Sequence, residues 1–362
     1  MLDGPCPGPV RAMSEVEEQL LLRTRVDSAL HEFARQETER LLAIDADLLP
    51  VTEQLAVAVA DGKRLRAAFC YWGWRAAGQP DSDALVRAAT AMELVHAAAV
   101  IHDDLIDESP MRRGVPSAHV ALRTAFTGRA RPHAGGRALA LLTGDLLMSW
   151  AAQLFLDCGL PAAYLSRARE LWSDMTRELI AGECLEVLST GSRPDTGRSL
   201  QVIRYKTAKY TVEHPLRIGG AMAGAPGTLM EAFTAYGLPL GEAFQLRDDL
   251  LGLFGDPERT GKSNLDDVRG NRPTVLFAET WSAATATERR ELRGLLGRRG
   301  LDGEGLSRVQ AITRRTGALD RVEEMIARRV QAATAVLARA DLPAEAATAL
   351  SRMVASAASR RC

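Results

Sequence analysis

Helical periodicity recurs almost without interruption from Glu15 to about Ser359, and this pattern leaves little room for anything but an all-α fold. No run alternates apolar and polar residues toward a hairpin turn. Short punctuation separates the helical stretches. It falls at Asp61-Gly62, Gly78-Gln79-Pro80, Ser109-Pro110, Gly128 to Gly136, Gly159-Leu160-Pro161, Gly191 to Thr196, Gly224 to Gly227, Gly255 to Pro273 and Gly300 to Gly305. The spacing predicts ten or more helices in one domain over residues 16–362. Residues 1–15, rich in Pro and Gly, are expected to form a disordered leader. The Arg-rich stretch from Gly128 to Gly136 is expected to be a solvated loop.

Composition removes several classes of function. The chain carries 45 basic and 46 acidic residues, for a net charge of -1, so a basic nucleic-acid surface is not indicated. Five cysteines (Cys6, Cys70, Cys158, Cys184 and Cys362) lack paired or CxxC spacing and read as reduced thiols of a cytoplasmic protein. No uninterrupted apolar run approaches the roughly 20 residues of a bilayer span, so no transmembrane segment is expected. The N-terminus has no apolar signal core.

Two aspartate-rich segments lie at the ends of apolar helical stretches: His102-Asp103-Asp104-Leu105-Ile106-Asp107 and Gln245-Leu246-Arg247-Asp248-Asp249-Leu250-Leu251-Gly252. On a helix, Asp103 and Asp107 project side by side, with Asp104 on the flank. Carboxylates one turn apart repel, and a helix C-terminus disfavours anions further. Hard oxygen ligands at this spacing suit Mg²⁺, which bridges to phosphate. The alternative is a solvated acidic helix end.

Cations accompany both segments. Met111-Arg112-Arg113-Gly114 follows the first, bringing guanidiniums for phosphate close to carboxylates for metal. A Gly-rich stretch with Thr260-Gly261-Lys262, Asp266-Asp267 and Arg272 follows the second and reads as a flap over a polyanion, although its glycine spacing is not that of a P-loop. Lys63 and Arg66 open a helix, where cations oppose the dipole and suit an anion better. Lys206 and Lys209 lie in a helix with an apolar face. Each of these features alone also fits a solvated charge.

Taken in order over about residues 60–280, these segments resemble the polyprenyl synthetase (trans-isoprenyl diphosphate synthase) family. The resemblance rests on GKRLR at 62–66, His96, HDDLID at 102–107, MRRGVPSAH at 111–119, GD at 144–145, KT at 206–207, FQLRDD at 244–249, TGK at 260–262 and Thr274. It implies an all-α bundle around a central cavity, usually a homodimer. It also implies an enzyme that condenses an allylic diphosphate with isopentenyl diphosphate, using three Mg²⁺ ions per site. Carried over residue by residue, Asp103, Asp107 and Asp248 would hold the ions, supported by Asp104 and Asp249. Arg112, Lys206 and Lys262 would bind the allylic diphosphate. Lys63, Arg66, His96 and Arg113 would hold that of isopentenyl diphosphate. Thr207 and Gln245 would line the developing carbocation.

The chain departs from the family pattern in places. Gly252 stands where the second motif has its last Asp, Glu183 where Gln is usual, Glu186 where Asp is usual, and Asn271 replaces a usual Gly. In the family, residues below the first motif set product length. Here Ala98 and Ala99 lie one turn down, then Val95 and Leu94, then Met92, with Met148 or Phe155 as candidates for the cavity floor. Small side chains there point to geranylgeranyl diphosphate, ahead of farnesyl or longer products; close helix packing is the competing explanation for the alanines. A class I terpene cyclase and a non-catalytic partner subunit are the other readings. The second set of cations argues against the cyclase, and the complete first motif argues against the inactive subunit.

Overall fold

The computed structural model describes residues 15–256 and 264–358, with side chains from residue 20 to 356 within those limits. The expected leader lies outside the described residues except for Glu15, and so does the Thr260-Gly261-Lys262 segment. Among the described residues, sixteen α-helical segments account for nearly all of the regular structure. The helices that build the site are α1 (Glu15–Ile44), α2 (Leu49–Ala60), α3 (Leu65–Ala76), α4 (Asp83–Ile106), α6 (Pro132–Leu156), α7 (Ala162–Ser189), α8 (Thr196–Val202), α9 (His214–Ala223) and α10 (Gly227–Phe254). Between α4 and α6 sits the single turn α5 (Ala118–Ala121). After α10 come α11 (Asp266–Gly270), α12 (Val275–Ala283), α13 (Ala286–Leu295), α14 (Gly303–Arg315), α15 (Ala318–Leu337) and α16 (Ala344–Ala358).

Local chemistry fixes several boundaries. The Ser82 side chain accepts from Leu85 N–H at the start of α4, and Thr285 and Glu288 form a reciprocal capping box on α13. At α3 the cap comes from elsewhere. Arg64 precedes that helix in a left-handed conformation without a side-chain cap. Buried Glu93 of α4 instead accepts from Ala67 N–H at 2.9 Å, placing a carboxylate at the positive end of α3. That contact fixes α3 against α4, so Arg66 and His96 belong to neighbouring turns of one interface.

α4 packs along α6, α3 along α9, and α10 along α15. Phe233, Tyr236 and Leu240 of α10 belong to the larger hydrophobic core, whereas Ala243, Leu246, Leu250 and Leu253 belong to a second core with the C-terminal helices. Val330 of α15 packs against both.

Four sequence expectations are corrected. Residues Met111–Arg112 and Val115–Pro116 form a small antiparallel ribbon, with Arg113 and Gly114 both at positive φ, the signature of a tight two-residue hairpin. The Gly128 to Gly136 segment is a loop only at its start, because Pro132 begins α6 and suits a first helical position, although His133 and Ala134 stay exposed. Lys63 precedes α3 rather than belonging to it. Finally, α4 and α6 are each long and apolar enough by length and composition to cross a bilayer. The apolar window of α4 is 72% buried inside the protein and that of α6 44%. α4 is thus a core helix, and α6 keeps an uncovered apolar face.

Candidate active site

Residues Ile203–Glu213, between α8 and α9, form a π-helical segment. Such wide turns are uncommon and concentrate at functional sites. Here the segment is pressed between α7 and α10. Gly182 of α7 makes the approach possible: a Cβ there would lie 2.2 Å from Lys206 N. The close contact brings Glu183 and Glu186 of the same helix onto the Lys206 ammonium. Lys206 Nζ lies 2.8 Å from Asp103 Oδ1 and 2.9 Å from Glu183 Oε2, and it also bonds Glu186. Burial alone would lower the Lys206 pKa, but Asp103, Glu186 and Glu183 hold it well above the ordinary lysine value.

Asp103 is the hub of this cluster. Arg112 Nη2 lies 3.0 Å from its second oxygen, and Arg272 is 3.9 Å away. Burial pushes Asp103 up, yet Lys206, Arg272 and Arg112 outweigh burial and hold it well below the usual carboxylate range. Asp107, which bonds Arg272, is pushed up to about 7, first by burial and then by the neighbouring Asp103, with Arg272 opposing. Asp104 is buried and turned inward, where Arg112 Nε donates to both of its oxygens at 2.9 and 3.0 Å. It is a support for Arg112, not an outward ligand.

The second aspartate segment is arranged differently. Thr207 Oγ1 donates to Gln245 Oε1 at 3.0 Å, and Gln245 Nε2 donates to Asp249 Oδ1 at 2.8 Å. This chain ties the π segment to α10. Burial pushes Asp249 up to about 8, with Asp267, Asp248 and Glu186 adding repulsion. Asp249 is therefore a buried carboxyl tied to Gln245, in keeping with a supporting place beside Asp248. Asp248 is its half-buried neighbour.

A separate group of cations gathers one turn further along the π segment, around Tyr210 and Thr211. Arg66 is buried; its Nη2 donates to Tyr210 Oη at 2.7 Å and Thr211 Oγ1 at 2.9 Å, and its guanidinium lies 4.5 Å from the Tyr210 ring centroid. Its buried Nε has no protein partner, which is the state expected of a donor reserved for an anion. His96 Nδ1 lies 3.2 Å from Tyr210 Oη. Burial, then Arg66, Arg113 and Arg112, lower the His96 pKa well below its ordinary value, so the ring is neutral without an anion beside it. Lys63 is exposed at the mouth of this region, before α3.

The hairpin explains how adjacent arginines serve both groups. Side chains alternate along a strand and its turn. Arg112 turns back to Asp103 and Asp104, whereas Arg113 donates to the Asp61 carbonyl and joins the cations around His96.

The residues fit divalent cations. Among the described residues, ligand oxygens of Asp103, Glu183 and Glu186 all lie within 4.8 Å of one another, a hard all-oxygen donor set. The sequence assigned metal to Asp103, Asp107 and Asp248. The structure adds Glu183 and Glu186 beside Asp103, and it links Asp107 to Asp103 through Arg272. Glu183, Glu186 and Tyr210 are the residues that sequence reasoning left without a role, and Arg272 was read only as a cation of the flap. The i, i+3 spacing of Glu183 and Glu186 was the available signal. A depression of about 500 Å³ lined by Arg204, Arg217, Thr234, Leu238 and Glu242 includes none of these residues.

A model of the polyprenyl synthetase family matches residues 50–313. The (2E,6E)-farnesyl diphosphate synthase of Mycobacterium tuberculosis is 36% identical over 225 residues, 62% of this chain; the chain spans only 57% of the length of that relative. The geranylfarnesyl diphosphate synthase of Aeropyrum pernix is 31% identical over 285 residues, covering 77% of this chain and 84% of its own. A solved geranylgeranyl pyrophosphate synthase from Corynebacterium glutamicum, complexed with isoprenyl diphosphate and magnesium, superposes with a TM-score of 0.90 at 31% identity, over 94% of this chain and 99% of that one. The family match covers most of the chain, and the aspartate segments, the hairpin arginines and the Lys206 turn all fall inside it: the chain belongs to the polyprenyl synthetase family.

Proposed function

We propose that this protein condenses an allylic diphosphate with isopentenyl diphosphate and makes geranylgeranyl diphosphate. The observation that carries the reading is the pair of cation groups built one turn apart along one π segment, at Lys206 and at Tyr210. Lys206, Arg112 and Arg272 gather at the carboxylates of one site; Arg66, His96 and Arg113 form the other. A cyclase has no use for the second site. Asp103, Asp107, Glu183, Glu186 and Asp248 would hold Mg²⁺, with Lys262 as a further ligand for the allylic diphosphate. The ions, when bound, supply charge neutralisation for a leaving diphosphate.

The chain's own groups do the rest. Lys206, Arg112 and Arg272 move from carboxylate to diphosphate, so positive charge is already in place as the C–O bond breaks. Thr207 and Gln245 hold each other in position beside the reacting carbons. Arg66, His96 and Arg113 orient isopentenyl diphosphate so that its double bond faces the allylic carbon. The departing proton goes to the released diphosphate. Ala99 lies one helical turn below Asp103 and is half-buried, whereas Ala98 is fully buried in the core and packs helices. Phe155 is stacked on Trp172 with centroids 4.3 Å apart and belongs to that packing. A farnesyl product is the second reading, favoured by the likeness to the mycobacterial relative.

The direct test is incubation with Mg²⁺, isopentenyl diphosphate and each allylic primer, followed by measurement of product length. Elongation to geranylgeranyl diphosphate is expected; product formed without isopentenyl diphosphate would indicate a cyclase. In the same assay Arg66→Gln should raise KM for isopentenyl diphosphate about 10- to 100-fold while leaving KM for the primer near its original value. Equal changes in both would dissolve the two-site assignment.

A homodimer and a cytoplasmic location are parts of the same proposal. α6 leaves Leu141 and Leu142 exposed, and α7 leaves Ile180, Val187 and Leu188. Apolar side chains massed on two long helices fit a surface covered by a second copy. Light scattering after size exclusion should give twice the chain mass, and Leu142→Glu should shift it to the monomer. A monomeric wild type would refute the dimer.

A further inference from the structure

In the run Gly62-Lys63-Arg64-Leu65-Arg66, Arg64 is the cation that the site does not use. It is also held in a strained backbone conformation. Its φ is 53° and its ψ 40°, the left-handed region that Gly, Asn and Asp enter more readily than a long side chain. That turn sends the side chain back beneath the connection between α2 and α3. The guanidinium is buried, at 5% exposure. Nε donates to Asp27 Oδ1 of α1 at 2.5 Å, and Nη2 donates to the Val59 carbonyl at 2.7 Å. Val59 lies in the last turn of α2, where carbonyls have no partner within the helix. Nη1 reaches the Asp61 carbonyl at 3.5 Å. Gly62 lets the chain pass close over this fork, because a Cβ there would sit 2.9 Å from Arg64 Nη1.

The same connection carries the second group of cations. Lys63 stands between Gly62 and Arg64. The Asp61 carbonyl that Arg64 reaches also accepts from Arg113 of the hairpin. Arg66 lies in the first turn of α3, which Glu93 pins through Ala67 N–H. The charge of Arg64 is felt at His96, behind burial and the nearer arginines, and at Arg113, behind burial, Arg112 and Asp61. Closing a helix end needs only a glycine or a relaxed side chain. Strained residues persist where their surroundings over-determine them, and they gather at ligand-binding sites.

We infer that Arg64 is a positioning residue for the isopentenyl diphosphate site. Its fork, anchored on Asp27 of α1, fixes the 61–63 turn that seats Arg113 and carries Lys63. Arg64 itself touches no substrate. The inference rests on the reading of Lys63, Arg66, His96 and Arg113 as that site.

The test uses the full chain, with steady-state kinetics in both substrates and calorimetric binding of isopentenyl diphosphate in EDTA. Arg64→Asn tolerates the same backbone conformation but removes the fork. It should raise KM for isopentenyl diphosphate about tenfold and weaken its binding equally, while kcat and KM for the primer stay within about threefold of wild type. Arg64→Lys keeps the charge without the fork and should behave like Arg64→Asn. Asp27→Asn weakens the anchor and should raise KM for isopentenyl diphosphate about threefold. A charge acting only through its field would lower that KM once Asp27 is neutralised. Wild-type KM in Arg64→Asn or in Asp27→Asn overturns the inference. Full recovery in Arg64→Lys does so too, because charge alone then suffices. Equal rises in both KM values reduce Arg64 to a part of the fold and overturn it as well. If Arg64→Asn does not fold, Asp27→Asn decides. Arg66→Gln with an unchanged KM for isopentenyl diphosphate overturns the site reading itself, and the inference with it.

Discussion

Asp103→Ala is expected to lower kcat by about 10³-fold or more, with far-UV circular dichroism and thermal unfolding near those of wild type. The size follows from the position of Asp103. Its two oxygens face Lys206 at 2.8 Å and Arg112 at 3.0 Å, and Arg272 lies 3.9 Å away. Removal takes a ligand from the proposed metal set and shifts three cations at once. A loss of 10³ corresponds to about 4 kcal/mol of transition-state stabilisation, a reasonable total for several charge contacts in a desolvated site. The fold should survive because Lys206 keeps Glu183 and Glu186, and Arg112 keeps its paired contacts to Asp104. No buried cation is orphaned. Undiminished turnover in the purified variant would remove Asp103 from the clamp.

Ala99→Phe should shorten the product, from the proposed geranylgeranyl diphosphate to farnesyl diphosphate. On α4, position 99 is one turn below Asp103 and about 40° around the axis. Besides His102 and Ile106, the residues of this helical stretch that keep partial exposure are His96, Ala99, Val100, Asp103 and Asp107, among buried neighbours such as Leu94, Ala98 and Ile101. They form one stripe, and a growing chain held by its diphosphate at Asp103 would run down it. A phenyl ring at 99, at the edge of the core where Ala99 packs, would block that path. Ala98→Phe is different in kind, since that side chain is 0% exposed and an added ring would overpack the core, at a cost of about 1–3 kcal/mol. Product chromatography with geranyl and farnesyl primers separates the two cases. An unchanged product distribution in Ala99→Phe would place the length limit on another helix.

Much of this was legible in the chain. The helices follow from periodicity, and their ends from residues such as Ser82, Thr285 and Pro132, whose effects reach only a turn or two. The carboxylates and arginines of the site were visible because bare charges at the ends of apolar helices are costly without a purpose. Glu183 and Glu186 were visible as departures yet had no assignable role. Their partner Lys206 lies some 20 residues on, and only the Gly182 contact with the π segment brings them together. The hairpin at Met111 to Pro116 escaped notice because two-residue strands leave no alternating pattern to read.

The sequence by itself determined an all-α chain with two carboxylate segments and enough cations for two anions, because periodicity, capping and charge are local properties. The tertiary structure decided which charges meet. Lys206 reaches Asp103 across 103 residues, and Arg272 reaches Asp107 across 165. Arg112 and Arg113, adjacent in the chain, part to two different sites because a tight turn sends neighbouring side chains in opposite directions. Such pairings depend on how helices pack, and packing is set by the whole core rather than by any segment of it.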